Sequence, residues 1–137
     1  MSRGPENTFI ASVHRLFPPG LYRMKNHNEY IGGVADVWYS GNYADLWVEY
    51  KFIQIPKRAS TEIDTPGLFS ALQLDWLRNR GREGRNVAAI VGSKDGGAIY
   101  VNEAWEHRVT AAEYCVELLS RKELADWIVS QVQRLRH

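Results

Sequence analysis

The sequence predicts an α/β domain with a mixed central β-sheet, and three observations lead to this prediction. Apolar residues recur at helical spacing near both ends of the chain. Short runs of β-branched and aromatic residues, bounded by turn residues, lie between them. The two kinds of stretch follow the order α-β-β-β-α-β-β-α-α. With 137 residues the chain can form one hydrophobic core. We therefore expect a single domain over 1–137, with a core of about 6–102 and a helical extension of about 103–137.

The first predicted helix covers residues 6–17. Pro5 suits the first helical position, and Pro18-Pro19-Gly20 ends the pattern. The apolar stripe of this helix consists of Phe9, Ile10, Val13, Leu16 and Phe17. Glu6 lies on the same stripe, which is an unusual place for a carboxylate.

Two extended runs, 33–39 and 46–53, predict a β-hairpin whose turn is formed by the polar residues 40–45. A symmetric turn places Asp36 opposite Glu49, and Trp38 opposite Trp47. The segment from Arg23 to Tyr30 is a candidate for a further strand at the sheet edge.

The remaining elements follow a polar, irregular segment over 54–64. A second helix is predicted to begin at Thr65-Pro66 and to end near Arg80. We predict strands at 85–92, buried on both faces, and at 98–101. Two final helices open with the capping-box patterns Thr110-x-x-Glu113 and Ser120-x-x-Glu123.

Composition narrows the class of protein. A formal net charge of +1 disfavours a protein that coats DNA without regard to sequence, but it leaves a DNA enzyme open. The single cysteine, Cys115, is expected to be a buried apolar residue, and one thiol fits a reducing compartment. No run reaches the ~20 apolar residues that span a bilayer, and the N-terminus does not resemble a signal peptide. We expect a cytoplasmic protein without a membrane partner.

The residues best suited to a catalytic or metal-binding role lie on the predicted hairpin. Strand alternation places Asp36, Glu49 and Lys51 on one face, and the opposite face is continuously apolar. Two adjacent carboxylates repel each other unless a cation lies between them, and their oxygens suit Mg²⁺. A lysine on the same side can orient an attacking water or stabilise the charge that develops on a phosphate.

The pattern Asp36-x₁₂-Glu49-x-Lys51 resembles the signature of the PD-(D/E)XK nuclease superfamily, with Ala35 where the family usually has proline. The sequence is most similar to the VRR-NUC branch of that superfamily. The matching features are Gly32-Gly33 before the aspartate, the Val48–Lys51 strand, and the glutamine helix over 70–77 followed by Gly81. The resemblance covers about residues 6–93.

The resemblance implies a restriction-endonuclease-like core and a Mg²⁺-dependent DNA endonuclease, with Mn²⁺ as an alternative metal. It implies that Asp36, Glu49 and the Tyr50 carbonyl bind the metal, and that Glu6 completes the metal site. Lys51 would position or activate the attacking water, and Gln73 would act near the metal or the scissile phosphate.

For contacts with the DNA backbone we predict Lys25, Lys57 and Arg58, which lie before and after the hairpin strands. The resemblance further implies a homodimer that resolves Holliday junctions in a phage or prokaryotic host. Two alternatives stay open. One is a restriction-like or nicking nuclease without branch preference, and the other is an inactive DNA-binding or assembly protein of the same fold.

Overall fold

A computed structural model describes residues 4–26 and 32–134, and this part of the chain contains four α-helices and seven β-strands. The helices are α1 (Pro5–His14), α2 (Ala71–Arg82), α3 (Ala111–Val116) and α4 (Arg121–Val132). The strands are β1 (Tyr22–Lys25), β2 (Val37–Ser40), β3 (Asp45–Phe52), β4 (Glu62–Ile63), β5 (Val87–Ser93), β6 (Gly96–Tyr100) and β7 (Val109–Thr110). Short 3₁₀ turns lie at Pro66–Leu68 and Ala104–Glu106.

Five strands form the central sheet in the order β1-β2-β3-β5-β6. Only the β3–β5 pair within this sheet is parallel, and the other neighbours are antiparallel. The crossover between β3 and β5 contains α2, which is the usual way to connect parallel strands. The predicted α/β class with a mixed sheet flanked by helices is confirmed.

Helices cover both faces of the sheet. One face packs against α1 and α4, with Phe9, Val13, Tyr50, Leu124 and Ile128 among its buried residues. The other face packs against α2 and α3, and its buried residues include Leu77, Val91, Trp105 and Tyr114. The C-terminal helix α4 therefore contributes to the same core as the N-terminal helix.

The predicted hairpin register is confirmed. Trp38 pairs with Trp47 and Val37 pairs with Val48, so the same register sets Asp36 opposite Glu49. The predicted apolar face is buried, because Ala35, Val37, Tyr39, Leu46, Val48 and Tyr50 are almost completely excluded from solvent. Alternation then leaves the acidic residues and Lys51 on the α2 side of the sheet.

Two predicted helix boundaries are wrong. The first helix ends at His14 rather than at residue 17. The second does not begin at Thr65-Pro66, which opens a 3₁₀ turn instead. The α-helix begins after Ser70, whose side chain accepts a hydrogen bond from the Gln73 amide. Proline fits the first turn of either helix type, so it could not distinguish them.

Other differences concern small elements. The edge strand predicted from Arg23 to Tyr30 is observed at Tyr22–Lys25, and residues 27–31 lie outside the described residues. The two-residue strands β4 and β7 form a small second sheet that was not predicted. Cys115 is exposed, in contrast to the predicted burial, because α3 turns its Ala111 and Tyr114 face to the core.

The end of α4 contacts the turn of the β2–β3 hairpin. The Val132 carbonyl accepts hydrogen bonds from the amides of Tyr43 (2.8 Å) and Ala44 (3.2 Å). The Asn42 side chain exchanges two hydrogen bonds with the Arg134 backbone, across 92 residues of sequence. None of the helices in the described ranges is long and apolar enough to cross a membrane.

Candidate active site

Asp36 and Glu49 occupy facing positions on neighbouring strands. Asp36 directly precedes β2, and its Oδ2 accepts a hydrogen bond of 3.0 Å from the Tyr50 amide of β3. Glu49 lies in the middle of β3 and is 1% exposed. The backbone thus fixes both carboxyl groups before any ligand is considered.

Glu49 is an unusual buried acid. Its Oε2 accepts a hydrogen bond of 3.0 Å from Gln73 Nε2, and its Oε1 is buried without a hydrogen-bond partner. Burial, reinforced by the nearby Asp36 carboxylate, raises the pKa of Glu49 to about 9. The protein without a cation therefore favours the protonated acid at neutral pH, although a carboxyl oxygen remains unsatisfied.

Lys51 follows Glu49 on the same face of β3. Its Nζ lies 3.5 Å from Glu49 Oε2 and 5.7 Å from the centre of the Phe69 ring. Its side chain is 19% exposed, so the ammonium group is close to the acids and still reaches solvent. Such a group can interact with a bound anion beside the carboxylates.

Gln73 connects α2 to the acidic pair. The side-chain Oε1 of Gln73 accepts a hydrogen bond from the backbone amide of Ser70 (2.9 Å). The backbone amide of Gln73 in turn donates to Ser70 Oγ (3.1 Å). This capping box fixes the side-chain amide, so Nε2 is left to donate to Glu49. The pattern Ser70-x-x-Gln73 is visible in the sequence and would have predicted both the helix start and this orientation.

Glu6 approaches the pair from the first turn of α1. Burial and the nearby Asp36 together raise the pKa of Glu6 to about 7, against the opposing effects of Lys51 and Lys25. The structure thus brings Glu6, Asp36, Glu49, Lys51 and Gln73 together from two strands and two helices.

A close backbone contact positions the Asp36 segment against α2. Gly33 has φ of +85°, and a Cβ there would lie 2.4 Å from the Leu72 carbonyl oxygen. A Cβ on Gly32 would meet the Leu72 side chain at 2.7 Å. The Gly33 contact is with backbone and its φ is positive, so glycine is required there for the chain to pass the first turn of α2 and enter β2 at Asp36.

A buried hydrogen-bonded chain lies on the opposite face of the hairpin, and sequence reasoning did not identify it. His14 Nε2 and Tyr39 Oη are 2.7 Å apart, and Tyr39 Oη and Tyr50 Oη are 2.5 Å apart. Burial lowers the pKa of His14 to about 4, which keeps the imidazole neutral between the tyrosine and solvent. The Tyr50 side chain therefore belongs to the core, while its amide holds Asp36.

The three cations predicted to contact DNA take different positions. Lys25 Nζ donates a hydrogen bond to Asn7 on α1 and influences Glu6 electrostatically. Lys57 and Arg58 are exposed in the loop that follows β3. Lys25 thus borders the acidic site, whereas the other two lie beyond the end of the strand.

A divalent cation fits the chemistry of this donor set. The unpartnered Glu49 Oε1 beside Asp36 is a buried oxygen, and a bound cation would take the place of the proton and satisfy it. Residues 4–26 and 32–134 contain no preformed group of three or more His, Cys, Asp or Glu side chains around one point. The carboxyl oxygens of Asp36 and Glu49 are hard ligands of the kind that suit Mg²⁺, which binds to few protein carboxylates and retains several waters.

Comparison with known proteins supports the fold. No protein-family model matches the sequence, and no curated protein matches it. Among solved structures, the chain is similar to Hjc of Archaeoglobus fulgidus, a Holliday junction resolvase from an archaeal hyperthermophile. The TM-score is 0.52 with 12% sequence identity, over 88% of this chain and 99% of that chain. The chain therefore shares the overall fold of that resolvase, a mixed β-sheet flanked by helices.

Proposed function

We propose that this chain is a divalent-metal-dependent endonuclease that hydrolyses DNA phosphodiester bonds. The observation that carries the proposal is the buried Glu49 beside the half-buried Asp36, with Glu49 Oε1 unsatisfied and Lys51 Nζ 3.5 Å from Glu49 Oε2. A buried acid with a strongly shifted pKa beside a second acid and a lysine is expected at a catalytic site. Two further observations agree with this proposal. The D…ExK pattern resembles a nuclease signature, and the fold is similar to that of a resolvase.

Each residue would have a distinct task. Asp36 and Glu49 would hold the metal, with the Tyr50 carbonyl and Glu6 as further ligands. Gln73 would keep the Glu49 carboxylate oriented through its hydrogen bond of 3.0 Å. Bound Mg²⁺ would polarise the phosphodiester and lower the pKa of a coordinated water. Lys51 would position the attacking water or stabilise the charge on the phosphate, because its ammonium group reaches both acid and solvent.

We further propose that the enzyme belongs to the VRR-NUC branch, comprises one nuclease domain and prefers branched DNA. The structural neighbour is described as a Holliday junction resolvase, which supports this choice of substrate. Two symmetric cuts in a four-way junction need two active sites related by a two-fold axis, so a homodimer is part of the proposal. A phage or prokaryotic genome is the expected source.

Cleavage of a labelled four-way junction and of a linear duplex with matched sequence tests this proposal. Each substrate is incubated with Mg²⁺ or EDTA, using the unsubstituted protein, Lys51→Ala and the control Lys122→Ala. Lys122, on α4, is exposed and forms an ion pair with Asp126, so its substitution removes an equal charge without removing a residue of the candidate site. We expect junction cleavage that requires Mg²⁺ and Lys51 and that tolerates the Lys122 substitution.

The other outcomes separate the alternatives. Equal cleavage of junction and duplex keeps the nuclease and removes the branch preference. No cleavage of either substrate by folded protein, with Mg²⁺ or Mn²⁺, contradicts the nuclease proposal and favours a DNA-binding or assembly protein.

A further inference from the structure

A group of aromatic side chains adjoins the candidate site on the α2 side of the sheet. Trp47 precedes Glu49 by two residues on β3, so both side chains project from the same face, one strand step of about 7 Å apart. Trp38 pairs with Trp47 across the β2–β3 ladder, and their rings stack with centroids 5.7 Å apart. The two tryptophans therefore lie next to Asp36 and Glu49 on the same hairpin.

Further rings extend this pair in both directions. The Tyr22 ring of β1 meets Trp38 edge-on at 5.3 Å, and the Trp76 ring of α2 meets Trp47 edge-on at 5.6 Å. We call these four residues the aromatic face. Because β1 is an edge strand and α2 also carries Gln73, the aromatic face borders the candidate site across the width of the hairpin.

Solvent reaches the aromatic face and its apolar neighbours. Tyr22 is 54% exposed, and Met24, whose register partner is Trp38, is 45% exposed. Leu72 lies one turn before Trp76 on α2 and is 60% exposed. Large apolar side chains that face water together favour a ligand that covers them.

The charges around the aromatic face decide which part of a nucleic acid it suits. The charged residues on the same face of the hairpin are Asp36, Glu49 and Lys51 at one end and Asp45 at the other. Lys51 is the one cation of this set, and Glu49 lies between it and Trp47 on β3. Phosphates placed against the aromatic face would therefore lie between carboxylates, which repel them. A neutral, planar base meets no such repulsion.

A base can reach these rings when it lies outside the helical stack. A duplex keeps its bases stacked inside, whereas the bases of an unpaired strand stack on exposed aromatic side chains with little regard to sequence. A protein partner on this face, including a second copy of the chain, would lie against Asp36 and Glu49 and obstruct a phosphodiester. Continuity with the candidate site therefore favours nucleic acid as the occupant.

We propose that the aromatic face binds an unstacked base of the DNA strand that is cut. Trp38 and Tyr22 lie one and two strand steps from Asp36, so the base belongs to a nucleotide about one or two positions from the scissile phosphate. The inference rests on the proposed nuclease function and refines it. The preferred substrate has a base beside the cut that has left the helix, as at the branch point of forked DNA.

Binding in EDTA tests the aromatic face without requiring cleavage. Fluorescence anisotropy is measured with forked DNA whose single-stranded arms carry either ordinary nucleotides or abasic sugars, which keep every phosphate and remove the bases. Tyr22→Leu removes the exposed ring and keeps an apolar side chain, while Tyr22→Phe keeps the ring. The control Tyr43→Leu changes a similarly exposed tyrosine in the hairpin turn, outside the aromatic face. Unchanged melting temperatures establish that the variants fold.

We expect Tyr22→Leu to weaken binding of the ordinary fork about five- to tenfold, near the lower end of the loss for one stacked base, and to change binding of the abasic fork by less than about twofold. Tyr22→Phe and Tyr43→Leu should match the unsubstituted protein on both forks. Equal losses on the two forks, no loss on the ordinary fork, or no binding of either fork overturns the proposal.

The nuclease function is decided separately, by cleavage. A selective loss in a protein that cleaves no DNA would refute the nuclease and retain the base-binding face. Junction cleavage without a selective loss would retain the nuclease and overturn the base-binding face.

The mass of the protein without DNA tests the alternative occupant. Sedimentation should give the same mass for Tyr22→Leu and for the unsubstituted protein. A lighter species for Tyr22→Leu would assign the aromatic face to contacts between copies of the chain and overturn the proposal.

Discussion

Substituting Glu49 by glutamine should stabilise the protein without metal at alkaline pH, which is an uncommon effect for a central residue of a strand. Glutamine has the same shape, can still accept the hydrogen bond from Gln73, and can donate one towards Asp36. It removes the need to keep a proton on a side chain that is 1% exposed and has one unsatisfied oxygen. The substitution therefore separates the charge of Glu49 from its packing.

The sign follows from the raised pKa. The native Glu49 retains its proton up to about pH 9, while an unfolded glutamate loses it near 4.5. The stability contributed by protonation is full below about pH 4.5 and is lost as the pH rises towards 9. A pKa shift of this size corresponds to a difference in unfolding free energy of at most about 6 kcal/mol between the two ends of this pH range. Because water enters and the structure relaxes when a buried acid ionises, we expect a measurable difference of ~2 kcal/mol. We expect Glu49→Gln to match the unsubstituted protein at pH 5 and to exceed it by ~2 kcal/mol at pH 8.

Urea unfolding in EDTA at both pH values measures this difference, and an unchanged m-value shows that the midpoint reports stability. Addition of Mg²⁺ at ten times its dissociation constant should stabilise the unsubstituted protein by ~1.4 kcal/mol at pH 8 and leave Glu49→Gln unchanged. The control Glu62→Gln, at an exposed ion pair with Arg108, should change stability by less than ~0.5 kcal/mol. A variant that is destabilised equally at pH 5 and pH 8 would refute the reasoning, because the pair of Glu49 and Lys51 would then be stabilising.

Three further predictions concern the supports of the site. Gly33→Ala should destabilise the protein by at least ~2 kcal/mol and abolish cleavage, because its Cβ would lie 2.4 Å from the Leu72 carbonyl; urea unfolding and junction cleavage measure both effects. Gln73→Ala should lower the cleavage rate about 10- to 100-fold, whereas Ser70→Ala should mainly cost ~1 kcal/mol of stability by removing the helix cap. Between pH 6.5 and about 4 the imidazole of His14 is protonated in the unfolded chain and neutral in the native protein, so the unsubstituted protein should lose stability as the pH falls. Discounted for partial solvent exposure, this loss is ~1–2 kcal/mol. His14→Gln should remove it, which urea unfolding across this pH range measures.

Each of these predictions has a comparison variant or a result that would contradict it. Gly84 has φ of +87° and no atom within 4 Å of a Cβ, so Gly84→Ala measures the strain of a positive φ alone. Equal destabilisation by the two alanines would exclude a role for the contact with α2. Equal cleavage rates for Gln73→Ala and Ser70→Ala would show that Gln73 acts only as part of the helix cap and does not orient Glu49. An unchanged pH dependence after substitution of His14 would show that this imidazole titrates freely in the native state.

The hairpin was predictable because one face of it had to be buried. A shift of the register by one residue would move Asp36, Glu49 and Lys51 into the core, so the apolar alternation left a single acceptable pairing. The buried strand β5 and the capping boxes of α3 and α4 carried equally local signals. In these elements sequence and structure agree because the pattern and the burial have the same physical origin.

The remaining features depend on contacts between distant residues. The chain from His14 through Tyr39 to Tyr50 joins a helix to two strands, and no spacing in the sequence indicates it. The two-residue strands β4 and β7 are too short to show a period. The exposure of Cys115 follows from the direction in which a helix of six residues meets the core. Such properties arise from packing, which a one-dimensional pattern does not contain.

The contacts between the end of α4 and the turn of the β2–β3 hairpin determine when the candidate site can form during synthesis of the chain. The turn between β2 and β3 is held by Val132 and Arg134, close to the end of α4. A ribosome releases the strands that carry the acids long before it releases the residues that hold their turn. Contacts over such a sequence distance form slowly and late. A nascent chain would therefore already contain Glu6, Asp36 and Glu49 before the hairpin that positions them is held in place. The proposed activity on nucleic acid would then be delayed until translation reaches α4.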